Sequence, residues 1–153
     1  MRLYLVRHGE ARPSEEDPAK RLSAKGLADV SKMAAMLRPR GLAVEAIWHS
    51  GKTRAAETAD ILAEAVKSRQ GALRWPGLEP NDPVVPIIND LQRAEGDLMI
   101  VGHLPFLGRL ASRLMAGDEA ALRLSLRTAT ILCLERHPQR GWCLAWMLSP
   151  EVV

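Results

Sequence analysis

Cysteines and aromatic residues are scarce in this sequence, and each scarcity excludes a class of protein. Only Cys133 and Cys143 occur, and they form no C-x-x-C pair, so neither a zinc ribbon nor thioredoxin-like chemistry is supported. Among the 153 residues there are four Trp, one Tyr and one Phe, and no basic stripe interleaved with aromatics. The net charge of +3 suits acidic or phosphorylated partners, but we do not expect nucleic acid to be the partner.

Long hydrophobic runs are also absent. No apolar stretch approaches the roughly 20 residues that cross a bilayer, so we expect no membrane span. The apolar segment Arg2–Arg7 is too short for a secretory signal, which predicts the first strand of a cytoplasmic protein. Because 47% of the residues are hydrophobic and 25% are charged, we expect a single globular domain over residues 1–153.

Apolar strands alternate with amphipathic helices along the chain. The patterns predict strands over Arg2–Arg7, Val44–Trp48, Leu98–Val101, Thr128–Arg136 and Trp142–Leu148. Helices are predicted after N-caps at Ser23 and Ser50, and over Val84–Arg93 and Leu107–Met115. The first two helices would bury Leu27, Val30, Ala34 and Leu37, and Ala55, Ala59, Leu62 and Val66. This alternation predicts an α/β fold: a mostly parallel, doubly wound sheet with helices on both faces and an antiparallel C-terminal hairpin.

Polar side chains follow the first three predicted strands. Arg7 and His8 end the first, Ser50 and Arg54 follow the second, and His103 follows the third. Because ligands of such sheets bind outside the carboxyl ends of the strands, we expect these residues to converge. A helix N-terminus and a guanidinium fork both favour phosphate oxygens. Two arginines and two histidines therefore predict a cationic cup for a phosphoryl group, with no metal or other cofactor.

Three elements of the sequence resemble signatures of the histidine phosphatase superfamily. They are L-V-R-H-G-E at residues 5–10, S-x-x-x-R-A-x-x-T-A at residues 50–59, and V-G-H at residues 101–103. Chain length, the L-E-P turn at residues 78–80 and G-H-L-P-F-L-G at residues 102–108 are most similar to SixA-type phosphohistidine phosphatases. The resemblance implies a phosphoglycerate mutase-like fold without a large cap insertion.

The same resemblance implies roles for four residues. His8 would attack phosphorus and become a covalent phosphohistidine, while Arg7, Arg54 and His103 would hold the phosphoryl oxygens. A neutral imidazole is a good nucleophile near pH 7, which agrees with that role. The implied substrate is a protein phosphohistidine, for example on a histidine phosphotransfer domain or a phosphocarrier.

The general acid is not evident from the sequence. Glu79, Asp82 and Glu10 are candidates, although a loop carboxylate is more often only solvated. A phosphohistidine substrate lessens the need for an acid because its P–N bond is labile, which favours it over a phosphomonoester. A small-molecule phosphomonoesterase on the same fold remains the alternative.

Three other hypotheses are weaker. Gly51-Lys52-Thr53 imitates the end of a P-loop of a nucleotide hydrolase, but Ala46 stands where that motif needs Gly. A non-catalytic phosphate-binding module would not need the nucleophile. A metal site has ligand types available, but no compact ligand motif, and the two arginines would repel a cation; its ligands would be His8, Glu10, His49 and His103.

Overall fold

A computed structural model describes residues 1–153, and a six-stranded sheet runs through its centre. The strands are β1 Arg2–Arg7, β2 Ala43–Val44, β3 Ala46–His49, β4 Lys67–Ser68, β5 Ala72–Arg74, β6 Leu98–Gly102, β7 Ile131–His137 and β8 Gly141–Leu148. The central sheet has the order β5-β3-β6-β1-β7-β8, in which the first four strands are parallel, β7 is antiparallel to β1, and β8 is antiparallel to β7. Strands β2 and β4 form a separate parallel pair. The predicted α/β fold with its antiparallel hairpin is confirmed.

Four α-helices cover the two faces of the sheet. They are α1 Ala24–Leu37, α2 Thr53–Ala63, α3 Val85–Arg93 and α4 Phe106–Ala116, and a short 3-10 helix, Arg38–Arg40, follows α1. Alternate residues of a strand point to opposite faces, so Tyr4 and Val6 pack with α1 and α2, whereas Leu3 and Leu5 pack with α3 and α4. No helix is both long enough and apolar enough to cross a membrane.

Several predicted boundaries are wrong. The strand predicted over Val44–Trp48 is broken at Glu45, whose N–H donates to the carbonyl oxygen of Asp97 at 2.7 Å. Strands β4 and β5 were not predicted because two or three residues are too few to show a period. Helix α2 ends at Ala63, so Val66 is buried beyond the helix rather than on its face.

The start of α1 packs directly on the chain that follows β1. Ser23 caps the helix, accepting from the N–H of Gly26, and its own N–H donates to the carbonyl oxygen of Glu10 at 2.9 Å. A Cβ at Gly26 would lie 2.1 Å from that oxygen. This packing turns Gly26 inward and leaves Leu27 43% exposed, so the predicted burial of Leu27 is wrong.

Substituting Gly26 tests this packing. Gly26→Ala should lower the free energy of unfolding by about 2 kcal/mol or more, because a methyl group there collides with backbone rather than with a flexible side chain. Gly108→Ala, in α4, is the matched control, since a Cβ there would meet no atom nearer than Leu104 Cδ2 at 3.9 Å. That variant should be neutral or up to about 1 kcal/mol more stable. Equal denaturation midpoints for the two variants would contradict the close approach of α1.

Candidate active site

Backbone hydrogen bonds from β6 and from the turn before β7 hold His8 just after the carboxyl end of β1. The N–H of His8 donates to the carbonyl oxygen of Gly102 at 3.0 Å, and Ala129 N–H donates to the carbonyls of Arg7 and His8 at 2.9 and 3.1 Å. Because β1 and β6 are adjacent and parallel, the side chains that follow them meet. The ring centroids of His8 and His103 lie 5.0 Å apart.

The His8 ring has one hydrogen-bonding arrangement that fixes its tautomer. Nδ1 lies 2.7 Å from the carbonyl oxygen of Gly9, and a carbonyl oxygen only accepts, so the proton belongs on Nδ1. Nε2 keeps its lone pair, toward which Arg54 Nε–H donates at 3.4 Å. Burial, with Arg54 and Arg7 nearby, lowers the pKa of His8 to about 4. The ring is therefore neutral at pH 7, with Nε2 available as a nucleophile.

His103 is held by the serine that was predicted to cap α2. Ser50 Oγ lies 2.6 Å from His103 Nε2, and the N-cap position of α2 is Lys52, so the capping prediction for Ser50 is wrong. His103 is 2% exposed, and its Nδ1 has no hydrogen-bonding partner. Burial, followed by the influence of His8 and Arg54, lowers the pKa of His103 to about 3. Both imidazoles are thus neutral near pH 7, and the cup's charge comes from its arginines rather than from all four side chains.

The two arginines approach the histidines from different elements. Arg7 Nη1 donates to the carbonyl oxygen of Leu126 at 2.8 Å, while its Nε is buried without a partner. Arg54 lies in the first turn of α2, and Thr58 connects that turn to the chain just after β1 by donating to Arg54 O at 2.7 Å and accepting from Gly9 N at 3.0 Å. Burial lowers the pKa of both guanidinium groups, which nevertheless stay protonated at any ordinary pH.

These four residues line a cavity of about 440 Å³. Sequence reasoning missed three further polar residues in its wall, Arg12, Lys20 and Thr128. Lys20 has a φ of +52°, in a turn built on the buried Asp17, whose carboxylate accepts from two backbone N–H groups. The only sequence signal for Arg12 and Lys20 was their positive charge in the loop that follows His8.

The candidate acids are not placed alike. Glu10 lines the cavity, where its Oε1 accepts from Ser23 Oγ at 3.0 Å. Asp82 Oδ2 accepts from the N–H of Glu79 at 2.9 Å, and Glu79 Oε1 lies 4.0 Å from Lys52 Nζ. Neither Glu79 nor Asp82 lines the cavity, although Pro80 of the same turn does.

The four candidate ligands of the hypothetical metal site do not form one cluster, although His8, Glu10 and His103 line the same cavity. No group of three or more His, Cys, Asp or Glu side chains is close enough to hold a metal ion. His49 accepts a hydrogen bond from the N–H of Gly51 at 3.1 Å and lies outside the cavity wall. The geometry instead combines a neutral nucleophilic nitrogen with fixed positive charge, which suits the transfer of an anionic group.

Comparison with known sequences gives the class of the protein. A family model described as the histidine phosphatase superfamily (branch 1) matches residues 3–79, about half of the chain, including Arg7, His8 and Arg54. An uncharacterised protein of Picosynechococcus sp. is 33% identical over 147 residues, covering 92% of this chain and 88% of the relative. The phosphohistidine phosphatase SixA of Escherichia coli is 23% identical, covering 98% and 94% respectively.

Solved structures share the fold over the whole length. The protein histidine phosphatase SixA complexed with tungstate superposes with a TM-score of 0.85 at 23% identity, covering 99% of both chains. The phosphoserine phosphatase of Entamoeba histolytica in complex with phosphoserine has a TM-score of 0.70 at 14% identity, covering 98% of both. The protein is a phosphatase with the phosphoglycerate mutase-like fold. It belongs to the histidine phosphatase superfamily, as the three sequence elements predicted, and the matching family model is that of branch 1.

The lowered histidine pKa values predict how stability depends on pH. The unfolded histidines, with a pKa of about 6.5, take up protons that folded His8 and His103 bind only near pH 4 and pH 3. The free energy of unfolding that these two neutral histidines contribute is therefore fully present above pH 6.5 and falls as the pH decreases below that value. Between pH 7 and pH 5, His8→Asn should lose about 1–2 kcal/mol less of its unfolding free energy than the wild type.

Urea denaturation of both proteins at the two pH values measures that difference. Gln139→Asn is the control, because Gln139 lies in the hairpin turn, outside the cavity, and exchanging one uncharged amide for another should leave the pH dependence equal to that of the wild type. Parallel curves for the wild type and His8→Asn would contradict a buried, neutral His8.

Proposed function

We propose that this phosphatase removes the phosphoryl group from a protein phosphohistidine through a covalent intermediate on His8, without a metal ion. The observation that carries the proposal is the fixed tautomer of His8, in which Nδ1 is bonded to the Gly9 carbonyl and Nε2 faces Arg54. This arrangement presents one lone pair, in a neutral ring, beside two guanidinium groups. Pure phosphate binding requires no such nucleophile.

The proposed reaction has two steps, phosphorylation of His8 and hydrolysis of the phosphorylated His8. In the first, the Nε2 lone pair of His8 forms a bond to phosphorus while the P–N bond of the substrate breaks, and the electron pair stays on the substrate's imidazole nitrogen, which takes up a proton. In the second, water attacks phosphorus, the bond to Nε2 breaks with its electron pair returning to Nε2, and inorganic phosphate leaves while one proton of the water passes to solvent, which balances the proton taken up from solvent in the first step. Arg7 and Arg54 stabilise the charge on the phosphoryl oxygens in both transition states, which is the task that a metal ion has in other phosphatases. His103 lies close enough to His8 to contact the same oxygens.

Two features favour phosphohistidine over an alkyl phosphate. Two of the three candidate acids, Glu79 and Asp82, do not line the cavity, and an imidazole leaves with less help from an acid than an alkoxide does. The chain between α2 and β6 holds only β4, β5, a turn and α3, so we infer a single domain without a large cap. An uncapped cavity can accept a histidine carried by a histidine phosphotransfer domain or a phosphocarrier. The phosphohistidine phosphatase SixA, which is similar over nearly the whole chain, supports this choice.

A small-molecule phosphomonoesterase is the second candidate. Glu10 in the cavity wall favours it, because a carboxylic acid there can protonate an alkoxide leaving group. The two candidates share the nucleophile and the arginines and differ only in the leaving group.

Removing the nucleophile tests the mechanism. His8→Ala should abolish turnover of every substrate while leaving the fold intact, because the side chain lies at a strand end and contributes little to either apolar cluster. His137→Ala should keep wild-type activity. Steady-state kinetics with p-nitrophenyl phosphate, alongside circular dichroism, give both readouts. Substantial activity in a folded His8→Ala protein would refute nucleophilic catalysis by His8.

A second measurement addresses metal and substrate together. The wild type should keep its activity in EDTA, because Arg7 and Arg54 supply the positive charge, and tungstate or vanadate should inhibit competitively as oxyanions in the same cavity. We expect kcat/KM for a phosphohistidine protein to exceed that for an alkyl phosphate by about 100-fold or more, in line with the usual contribution of acid catalysis to an alkoxide leaving group. Equal cleavage would favour the phosphomonoesterase. Activity lost in EDTA and restored by a divalent metal would refute the mechanism.

A further inference from the structure

A second groove joins the catalytic cavity at Leu104, a residue that lines both. The groove has a volume of about 450 Å³ and lies between the start of α4 and residues 119–125. None of the residues placed in the catalytic step lines it. A substrate in the catalytic cavity that extends past Leu104 would therefore enter this groove.

One wall of the groove is held by hydrogen bonds to the buried side chain of Ser112. Ser112 Oγ accepts from the N–H of Leu122 at 2.9 Å and donates to the carbonyl oxygen of Asp118. Two residues beyond Leu124, the carbonyl of Leu126 accepts from Arg7. The same chain segment thus forms one wall of the groove and positions a catalytic-site arginine.

The surface of the groove combines aliphatic groups with one arginine, Arg123, that pairs with no carboxylate. Leu122 is 39% exposed, and Leu104 and Leu124 are half-buried. Arg109 pairs with Glu119 at 3.4 Å, but Arg123 is exposed and belongs to no ion pair. Across the catalytic cavity, Arg12 and Lys20 likewise have no carboxylate partner within ion-pair distance, so positive charge continues around the mouth.

We propose that this groove docks the protein that carries the phosphohistidine, by receiving aliphatic and acidic side chains that flank the phosphorylated residue. The inference rests on the proposed function and adds the surface that selects the partner. A small phosphate ester is accommodated by the catalytic cavity alone, whereas a protein-borne phosphohistidine brings neighbouring side chains over Leu104. Charge complementarity makes an acidic partner surface favourable and steers its approach.

Gly108 allows the groove to be blocked without harm to the fold. It lies on α4 in the groove wall, and a Cβ there would meet only Leu104 Cδ2, at 3.9 Å. Gly108→Gln should therefore fill the groove while keeping or raising helix stability. Arg123→Glu replaces the unpaired positive charge of the groove with a negative charge. Arg113→Glu is the matched control for the charge reversal, because Arg113 is exposed on α4, the helix that carries Gly108, but lines neither the groove nor the catalytic cavity.

The experiment measures kcat/KM for each variant with two substrates, a histidine phosphotransfer domain phosphorylated on its histidine and p-nitrophenyl phosphate. Gly108→Gln and Arg123→Glu should each lower kcat/KM for the phosphoprotein by about tenfold or more, which corresponds to about 1.4 kcal/mol, and should leave p-nitrophenyl phosphate within about twofold. Arg113→Glu should change neither. The deficit of Arg123→Glu should shrink as salt is raised, because salt screens exposed charges.

The outcomes separate the two proposals. A wild type that cleaves the phosphoprotein, with both groove variants equal to it, would overturn the docking groove and leave the proposed function standing. A different outcome is a wild type that cleaves p-nitrophenyl phosphate but neither this phosphoprotein nor a phosphorylated phosphocarrier. That result would overturn the proposed substrate and, with it, the proposed occupant of the groove. Equal losses on both substrates would also overturn the docking role, since they would show damage to the catalytic cavity.

Discussion

The hydrogen bond between His8 Nδ1 and the carbonyl oxygen of Gly9 determines which ring nitrogen can react, and much of the surrounding structure keeps it in place. The N–H of Gly9 is held by Thr58 of α2. A Cβ at Gly9 would lie 2.7 Å from Val30 Cγ2, so the helix α1 can approach this turn only because residue 9 has no side chain. The capping of α1, the first turn of α2 and the geometry of the nucleophile are consequently parts of one arrangement.

Charge in the site follows from the same burial. Low solvent exposure holds the pKa of His8 at about 4 and that of His103 at about 3, so both rings are neutral, whereas the guanidinium groups keep their charge. A nucleophile that carried a proton would have no lone pair, and a binding site without fixed cations would not hold a phosphoryl dianion. Partial burial satisfies both requirements because histidine and arginine respond to it so differently.

The sequence allowed the sheet and the four central residues to be predicted because they follow strong local signals. The apolar run of β1 has the bounds that were predicted, and the resemblance of residues 5–10 and 50–59 to family elements is confirmed by the family match. The position of Ser50 was not predictable from local pattern. A serine before a helix is usually a cap, and only the tertiary approach of β6 turns it to His103.

The other differences also arise from contacts distant in sequence. Leu27 has the spacing of a buried residue, but the close approach of Gly26 to Glu10 turns the Gly26 side of the helix inward and leaves Leu27 exposed. Lys20 reaches the cavity through a left-handed turn held by Asp17, and hydrophobic periodicity does not predict such a turn. The docking groove depends on α4 and residues 119–125 coming together, which requires the fold.

The most direct test of the account is the chemical identity of the phosphorylated enzyme. Rapid mixing with excess phosphoramidate, a base quench and phosphorus NMR of the denatured protein distinguish a phosphoryl group on Nε2 from one on Nδ1, because the two isomers resonate at different positions. The fixed tautomer predicts a single signal from Nε2-phosphohistidine, assigned to His8 by its loss in His8→Ala. A phosphoryl group on Nδ1 of His8, or on any other residue, would contradict the account.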